Sequence, residues 1–219
     1  MTRRSSMRAT LALCAVLGSS GVHGAAAPGP VVVARGDGAP VVTDGMFTAG
    51  EWDDAATVVV TDGVTLHLKE HRGVVFIGVR GAQGNGIGPS DLMLAGSDGA
   101  IRQLHRSYAL AEAIVPPEGP MPKLRLGFTS DWYANEMRRD DEERARLQKE
   151  GKDPLTIMRA TDYPADGMEF AIRRSKIPGQ VWRLRLWASA FSGGKPGMVT
   201  YPADAAERTT DGWLELRLQ

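Results

Sequence analysis

The chain has 219 residues, in which 26 lysine and arginine side chains balance 26 aspartate and glutamate side chains. A neutral balance without a basic stripe lacks the electrostatic footprint of a nucleic-acid-binding protein, and no run of cations indicates binding to a membrane surface.

The first 27 residues have the pattern of a secretory signal peptide. Three arginines precede an apolar run at 9–18, and small residues follow it. A basic region, a short apolar region and a small-residue cleavage zone define such a signal, and this run is too short to span a bilayer. We therefore expect export to the periplasm or beyond. The remaining chain, 28–219, would carry a net charge of −3 and no cysteine, so its core alone must hold the fold.

Strand patterns dominate the chain after residue 55. "TVVVTD" predicts a first strand, and the period-2 alternation of "VTLHLKE" and "GVVFIGVR" predicts a hairpin over 64–80. Further alternating segments predict strands at 91–95, 100–105, 123–128, 167–174, 181–191 and 212–219.

One segment, 130–154, is highly charged and rich in helix formers. It predicts a helix over 131–149, an exposed insertion at about 130–150 that Trp132 and Tyr133 anchor to the rest of the fold. Many short strands without βαβ alternation favour an all-β fold, an antiparallel β-sandwich over 28–219 as a single domain.

The order of several short motifs resembles the family 9 carbohydrate-binding modules, which belong to the DOMON-like group of secreted β-sandwiches. The motifs are Asp44-Gly45, Gly50-Glu51-Trp52 with Ala55, and the hairpin ending "VVFIGVR". "SDLMLAGSDG", "MEFAIRRSKI" and the closing "GWLELRLQ" follow in the same order. The resemblance implies sugar binding and, in some members, structural calcium, whereas related DOMON-like sandwiches bind haem. The charged segment is the clearest departure from the family.

Strand alternation also suggests a ligand platform on an outer sheet face. Indole rings stack on the apolar face of a sugar, and guanidinium groups donate hydrogen bonds to hydroxyl or carboxylate groups. The predicted site therefore comprises Trp187, Trp213, Arg183, Arg185 and Arg125. The alternative is that outward arginines form cross-strand ion pairs with Glu169 and Glu215, while the tryptophans cover a sheet edge. We assign Trp182, on the opposite side of its strand, to the core.

The resemblance raises two possible cofactors, calcium and haem, and the sequence offers candidate ligands for each. Loop carboxylates suit calcium, and we name Asp44, Glu51 and Asp53 as its candidate ligands, with turn-forming aspartates as the alternative. Haem would need histidine or methionine ligands. The candidates are His105 and five methionines, Met93, Met121, Met137, Met158 and Met168.

No motif of a hydrolase or a phosphate-binding loop occurs, and no Ser-His-Asp spacing stands out, although such triads need not be local in sequence. The sequence thus predicts an exported, non-catalytic protein that binds carbohydrate. A haem-binding DOMON-like protein of periplasmic electron transfer and a ligand-free, partner-binding module are the alternatives. We also predict that Trp52 plugs the sandwich end instead of contacting a ligand.

Overall fold

The computed structural model describes residues 29–82, 86–107, 109–127, 130–135, 145–146, 148–152, 166–192 and 195–219. The predicted signal peptide and its cleavage site lie outside these residues. Within the described part of the chain, no helix has the length and apolarity needed to cross a membrane.

Thirteen strands account for about half of the described residues. They are β1 (Val31–Val33), β2 (Ala56–Thr61), β3 (Val64–His71), β4 (Val74–Arg80), β5 (Ser90–Ala95), β6 (Ile101–Arg106), β7 (Leu110–Val115), β8 (Arg125–Leu126), β9 (Trp132–Ala134), β10 (Gly167–Arg173), β11 (Val181–Ser192), β12 (Lys195–Tyr201) and β13 (Leu214–Leu218). A single 3-10 turn, Arg174–Lys176, follows β10.

The strands form two sheets, which confirms the predicted all-β sandwich. The large sheet has the order β1-β13-β11-β5-β6-β7-β8, with β12 also paired to β11, and the small sheet has the order β2-β3-β4-β10-β9. Neighbouring strands run antiparallel except β1 and β13, which are parallel. The long strand β11 pairs with β5 on one side, and with β13 and then β12 on the other.

The main core lies between the sheets and follows from the alternation along each strand. Inward side chains such as Leu66, Leu92, Phe170, Leu184 and Leu216 are fully buried. Trp182 is also fully buried, as predicted. At about 25 cal/mol per Å² of apolar surface, burial of this many large side chains is the main contribution to stability.

The predicted helix over 131–149 is wrong at its start. Residues 132–134 form β9, because Trp132 packs in the core and stacks against Phe170 at a centroid distance of 6.2 Å. The anchoring role predicted for Trp132 is thus confirmed, but from a strand. Residues 145–146 and 148–149 are helical, and most of the remaining charged segment lies outside the described residues.

Two irregular segments cover the outer faces of the sheets. The first covering segment, residues 34–55, lies on the small sheet, where Val41 and Trp52 pack on Phe76. The second covering segment, residues 202–213, lies on the large sheet, where Ala205 and Trp213 join a second small core. These segments decide which outward side chains remain accessible.

Candidate functional site

The motif that carries the family resemblance holds the first covering segment in place. The Glu169 carboxylate, on the outer face of β10, accepts hydrogen bonds from the backbone N–H groups of Asp44 and Gly45 at 3.0 and 2.8 Å. The indole of Trp52 donates to its other oxygen at 3.0 Å. Trp52 is buried, so it packs as predicted and not as a ligand contact, but it covers the sheet face and not the sandwich end. Glu169 therefore makes none of the arginine pairs considered from the sequence.

The Glu169 carboxylate is fully buried, and its ionisation reflects this. Burial raises its pKa from 4.5 to about 7, and the nearby charge of Asp44 acts in the same direction. The hydrogen bonds from Gly45, Trp52 and Asp44 favour the charged form and oppose this shift. Through these three hydrogen bonds, the Glu169 carboxylate joins the first covering segment to β10.

The candidate calcium ligands do not come together as a metal site. Asp44 accepts a hydrogen bond from the Met46 N–H at 2.8 Å, the geometry of a local turn. The carboxylate of Glu51 is buried and accepts from the N–H groups of Val42 and Thr48. No group of three or more histidine, cysteine, aspartate or glutamate side chains in the described residues is placed to hold a metal. Asp44, Glu51 and Asp53 therefore do not form such a group.

The described haem candidates do not form a ligand pair. Met168 is buried between the sheets, and Met121 is exposed on a loop. Met93 lies on the outer face of the large sheet, where its sulfur contacts Arg185 at 3.5 Å. Both ring nitrogens of His105 are engaged by protein side chains. Met137 and Met158 lie outside the described residues.

The second covering segment removes two of the predicted sugar contacts from the surface. Trp213 is only 3% exposed, and its indole donates to the Ala206 carbonyl at 2.6 Å. Arg185 is buried beside it, donating to the carbonyl of Ala205 and pairing with Glu207 at 3.3 Å. The expectation that these two side chains lie on an open face is wrong, because residues 202–213 fold back over that part of the sheet.

The two remaining arginines of the predicted site occupy separate places. Arg183 is part-exposed and forms the predicted cross-strand ion pair with Glu215 at 2.7 Å. It lines a shallow groove of about 580 Å³ together with Arg208. Arg125 is exposed on β8, in register with Glu112, whose carboxylate contacts Trp132 of the other sheet. Because paired residues share a face, Arg125 points away from the outer face to which the sequence assigned it.

Trp187 is the predicted aromatic residue that the structure leaves accessible on the outer face. All five tryptophans of the sequence are described, and Trp187 is the one that is not buried. In the pairing register, Trp187 of β11 faces Asp91 of β5, and Asp91 faces His105 of β6. Adjacent strands lie about 4.8 Å apart, so the three side chains form one row on one face of the sheet. We call this set the Trp187 row.

The polar members of the Trp187 row are connected by short hydrogen bonds. Asp91 Oδ1 lies 2.8 Å from His105 Nδ1, and His105 Nε2 lies 3.1 Å from the Oγ of Ser107. The side chains of Asp91 and His105 are 17% and 21% exposed. An accessible indole beside fixed acceptors and donors is suited to a ligand with an apolar face and hydroxyl groups.

Sequence reasoning found Trp187 but missed Asp91, His105 and Ser107 as members of this site. The alternation of "DLMLA" and "AIRQLH" already places Asp91 and His105 outward on their strands. Alternation does not predict the strand register, which brings Asp91 and His105 into contact although they are 14 positions apart.

No family model matches the chain, and no curated protein matches it. One solved structure aligns with it, that of a Bacteroides uniformis protein provisionally described as carbohydrate-binding. The alignment covers 75% of this chain and 85% of that one, at 6% identity and a TM-score of 0.40. A likeness at that TM-score carries no argument about the ligand of this chain.

Proposed function

We propose that this chain is an exported protein that binds carbohydrate on the outer face of its large sheet, with a sugar ring stacked on Trp187. The observation that carries the proposal is the Trp187 row: the one accessible indole of the molecule lies next to Asp91 and His105. The short motifs that resemble the family 9 modules suggest the same ligand class, while no family model matches the chain.

The roles within the row differ from those expected from the sequence. Trp187 supplies an apolar platform, and polar side chains beside it hold the hydroxyl groups. Asp91 is an acceptor when ionised, whereas His105 has a ring nitrogen toward Asp91 and another toward Ser107. Arg185 and Trp213 support this surface from beneath the second covering segment and do not touch the ligand.

Affinity electrophoresis through gels containing a panel of polysaccharides tests the proposal. The wild-type protein should be retarded by at least one polysaccharide, and Trp187→Ala should weaken that interaction at least about tenfold, or ~1.4 kcal/mol. Val59→Ala is the matched control, since Val59 is an exposed apolar residue on the small sheet. If Trp187→Ala is retarded as strongly as the wild type, the sugar does not bind at this row.

A further inference from the structure

Beyond binding, two members of the Trp187 row, Asp91 and His105, form with Ser107 an arrangement that can do chemistry. We propose that Ser107, His105 and Asp91 form a nucleophilic relay that hydrolyses small acyl esters. The choice of acyl esters of sugars as the substrate class rests on the proposed function, because Trp187 lies in the same row. The relay itself rests on the geometry of the three side chains alone.

The distances match the order in which such a relay works. Asp91 Oδ1 is 2.8 Å from His105 Nδ1, and His105 Nε2 is 3.1 Å from Ser107 Oγ. If Nδ1–H donates to the carboxylate, Nε2 is left as an acceptor for the serine hydroxyl. The aspartate thereby fixes the tautomer that a general base requires. The three residues lie at the end of β6 and on β5, so rigid strands hold two of them.

Burial of the three groups is intermediate, which suits a site that substrate must reach. The side chains of His105 and Asp91 are 21% and 17% exposed, and Ser107 is also part-exposed. The hydroxyl of Ser107 has a competing acceptor in the Ala109 carbonyl at 3.3 Å, which is longer than the contact to His105. The imidazole is therefore the nearer partner of the hydroxyl.

The reaction is an ordinary acyl transfer to water. Ser107 Oγ attacks the ester carbonyl carbon while its proton passes to His105 Nε2, and the C–O bond to the leaving alcohol then breaks. The alcohol oxygen takes the proton from Nε2, which leaves an acyl-serine. Water, deprotonated by the same nitrogen, attacks the acyl carbon, and the carboxylic acid departs as Oγ recovers the proton.

The rate should be modest. Stabilisation of the developing oxyanion usually contributes more to the rate of such reactions than any other single effect. The Ala109 N–H is the one backbone donor that the described contacts place on Ser107 Oγ, at 3.4 Å. With a single donor of this kind, we expect slow turnover that is clearly above the background rate but well below that of an efficient esterase.

The test uses a biotinylated fluorophosphonate, with peptide mass spectrometry to locate the label, and p-nitrophenyl acetate as substrate. Ser107 should be labelled in the wild type, and labelling should fall at least tenfold in His105→Asn. Ester hydrolysis should fall at least tenfold in Ser107→Ala and in Asp91→Asn. Ser175→Ala is the control, because Ser175 is exposed in the 3-10 turn with no histidine bonded to it in the described contacts.

Retention of the wild type on polysaccharide is measured in parallel, so that failure of the relay can be distinguished from failure of carbohydrate binding. Absence of label at Ser107, or undiminished hydrolysis by Ser107→Ala, overturns the relay, whatever the retention. Labelled Ser107 in a protein that no polysaccharide retards supports the relay and overturns carbohydrate binding.

Discussion

Replacing Glu169 with glutamine should remove a pH dependence from the stability of the protein. In the folded state burial raises the pKa of Glu169 to about 7, from 4.5. The folded protein therefore binds more protons than the unfolded chain between these values, so the free energy of unfolding falls as the pH rises through that window. Integrated from about pH 5 to about pH 8, the contribution of this one group is a loss of about 2.5 kcal/mol.

The assay is urea denaturation of the wild type and Glu169→Gln at a series of pH values. Subtracting the two curves cancels every other titrating group, and the difference should change by about 2.5 kcal/mol across this range. If the glutamine oxygen keeps the backbone N–H groups of Asp44 and Gly45, its NH₂ group faces the Trp52 indole N–H, which now donates to the carboxylate at 3.0 Å. A second pair, Trp52→Phe with and without Glu169→Gln, avoids this clash. If, in both pairs, the free energy of unfolding of the Glu169→Gln variant changes with pH in the same way as that of its parent, the reasoning is refuted.

Two further predictions concern packing and hydrogen bonding. Gly78→Ala should lower the free energy of unfolding by about 1–3 kcal/mol, because a Cβ at this position would lie 2.8 Å from the Trp52 ring. Gly197→Ala is the control and should be nearly neutral, since nothing lies within 4 Å of a Cβ there. Equal losses of stability in urea denaturation would contradict this prediction. Trp132→Phe should lower the free energy of unfolding by about 1 kcal/mol or more in excess of the loss caused by Trp182→Phe. The indole of Trp132 donates to Glu112 at 2.8 Å, whereas the buried Trp182 N–H has no partner in the described structure, so only the first substitution removes a hydrogen bond. A larger loss in Trp182→Phe would show that ring packing, not the N–H group, decides the difference.

Local alternation explains why much of the fold was predictable. The hairpin of β3 and β4 and the strands β5, β6, β10, β11 and β13 all have one apolar face, which the period of 2 reveals. β1, β7, β9 and β12 were not predicted as strands. "LAEAIV" in β7 has apolar residues on both faces and a single glutamate, so its alternation is weak, and β12 begins in a glycine-rich stretch that is typical of a loop.

The accessible surface was much less predictable than the strands. Alternation correctly placed Arg185 and Trp213 outward, but it does not show that residues 202–213 return to bury them. For Arg125 alternation failed, since Leu126 is the side chain on the outer face and is 81% exposed. Glu169 and Asp44 are 125 residues apart, so no local pattern could join them.

Binding of a sugar at Trp187 is tested most directly by the indole N–H signals of the five tryptophans in two-dimensional NMR. Trp187→Phe identifies the signal of Trp187, and a soluble oligosaccharide of the polysaccharide that retards the protein is then titrated. We predict that the Trp187 signal shifts with saturation while those of the buried Trp52, Trp132, Trp182 and Trp213 stay nearly fixed. A titration that moves one of the buried signals and leaves Trp187 unchanged would contradict stacking of the sugar on Trp187.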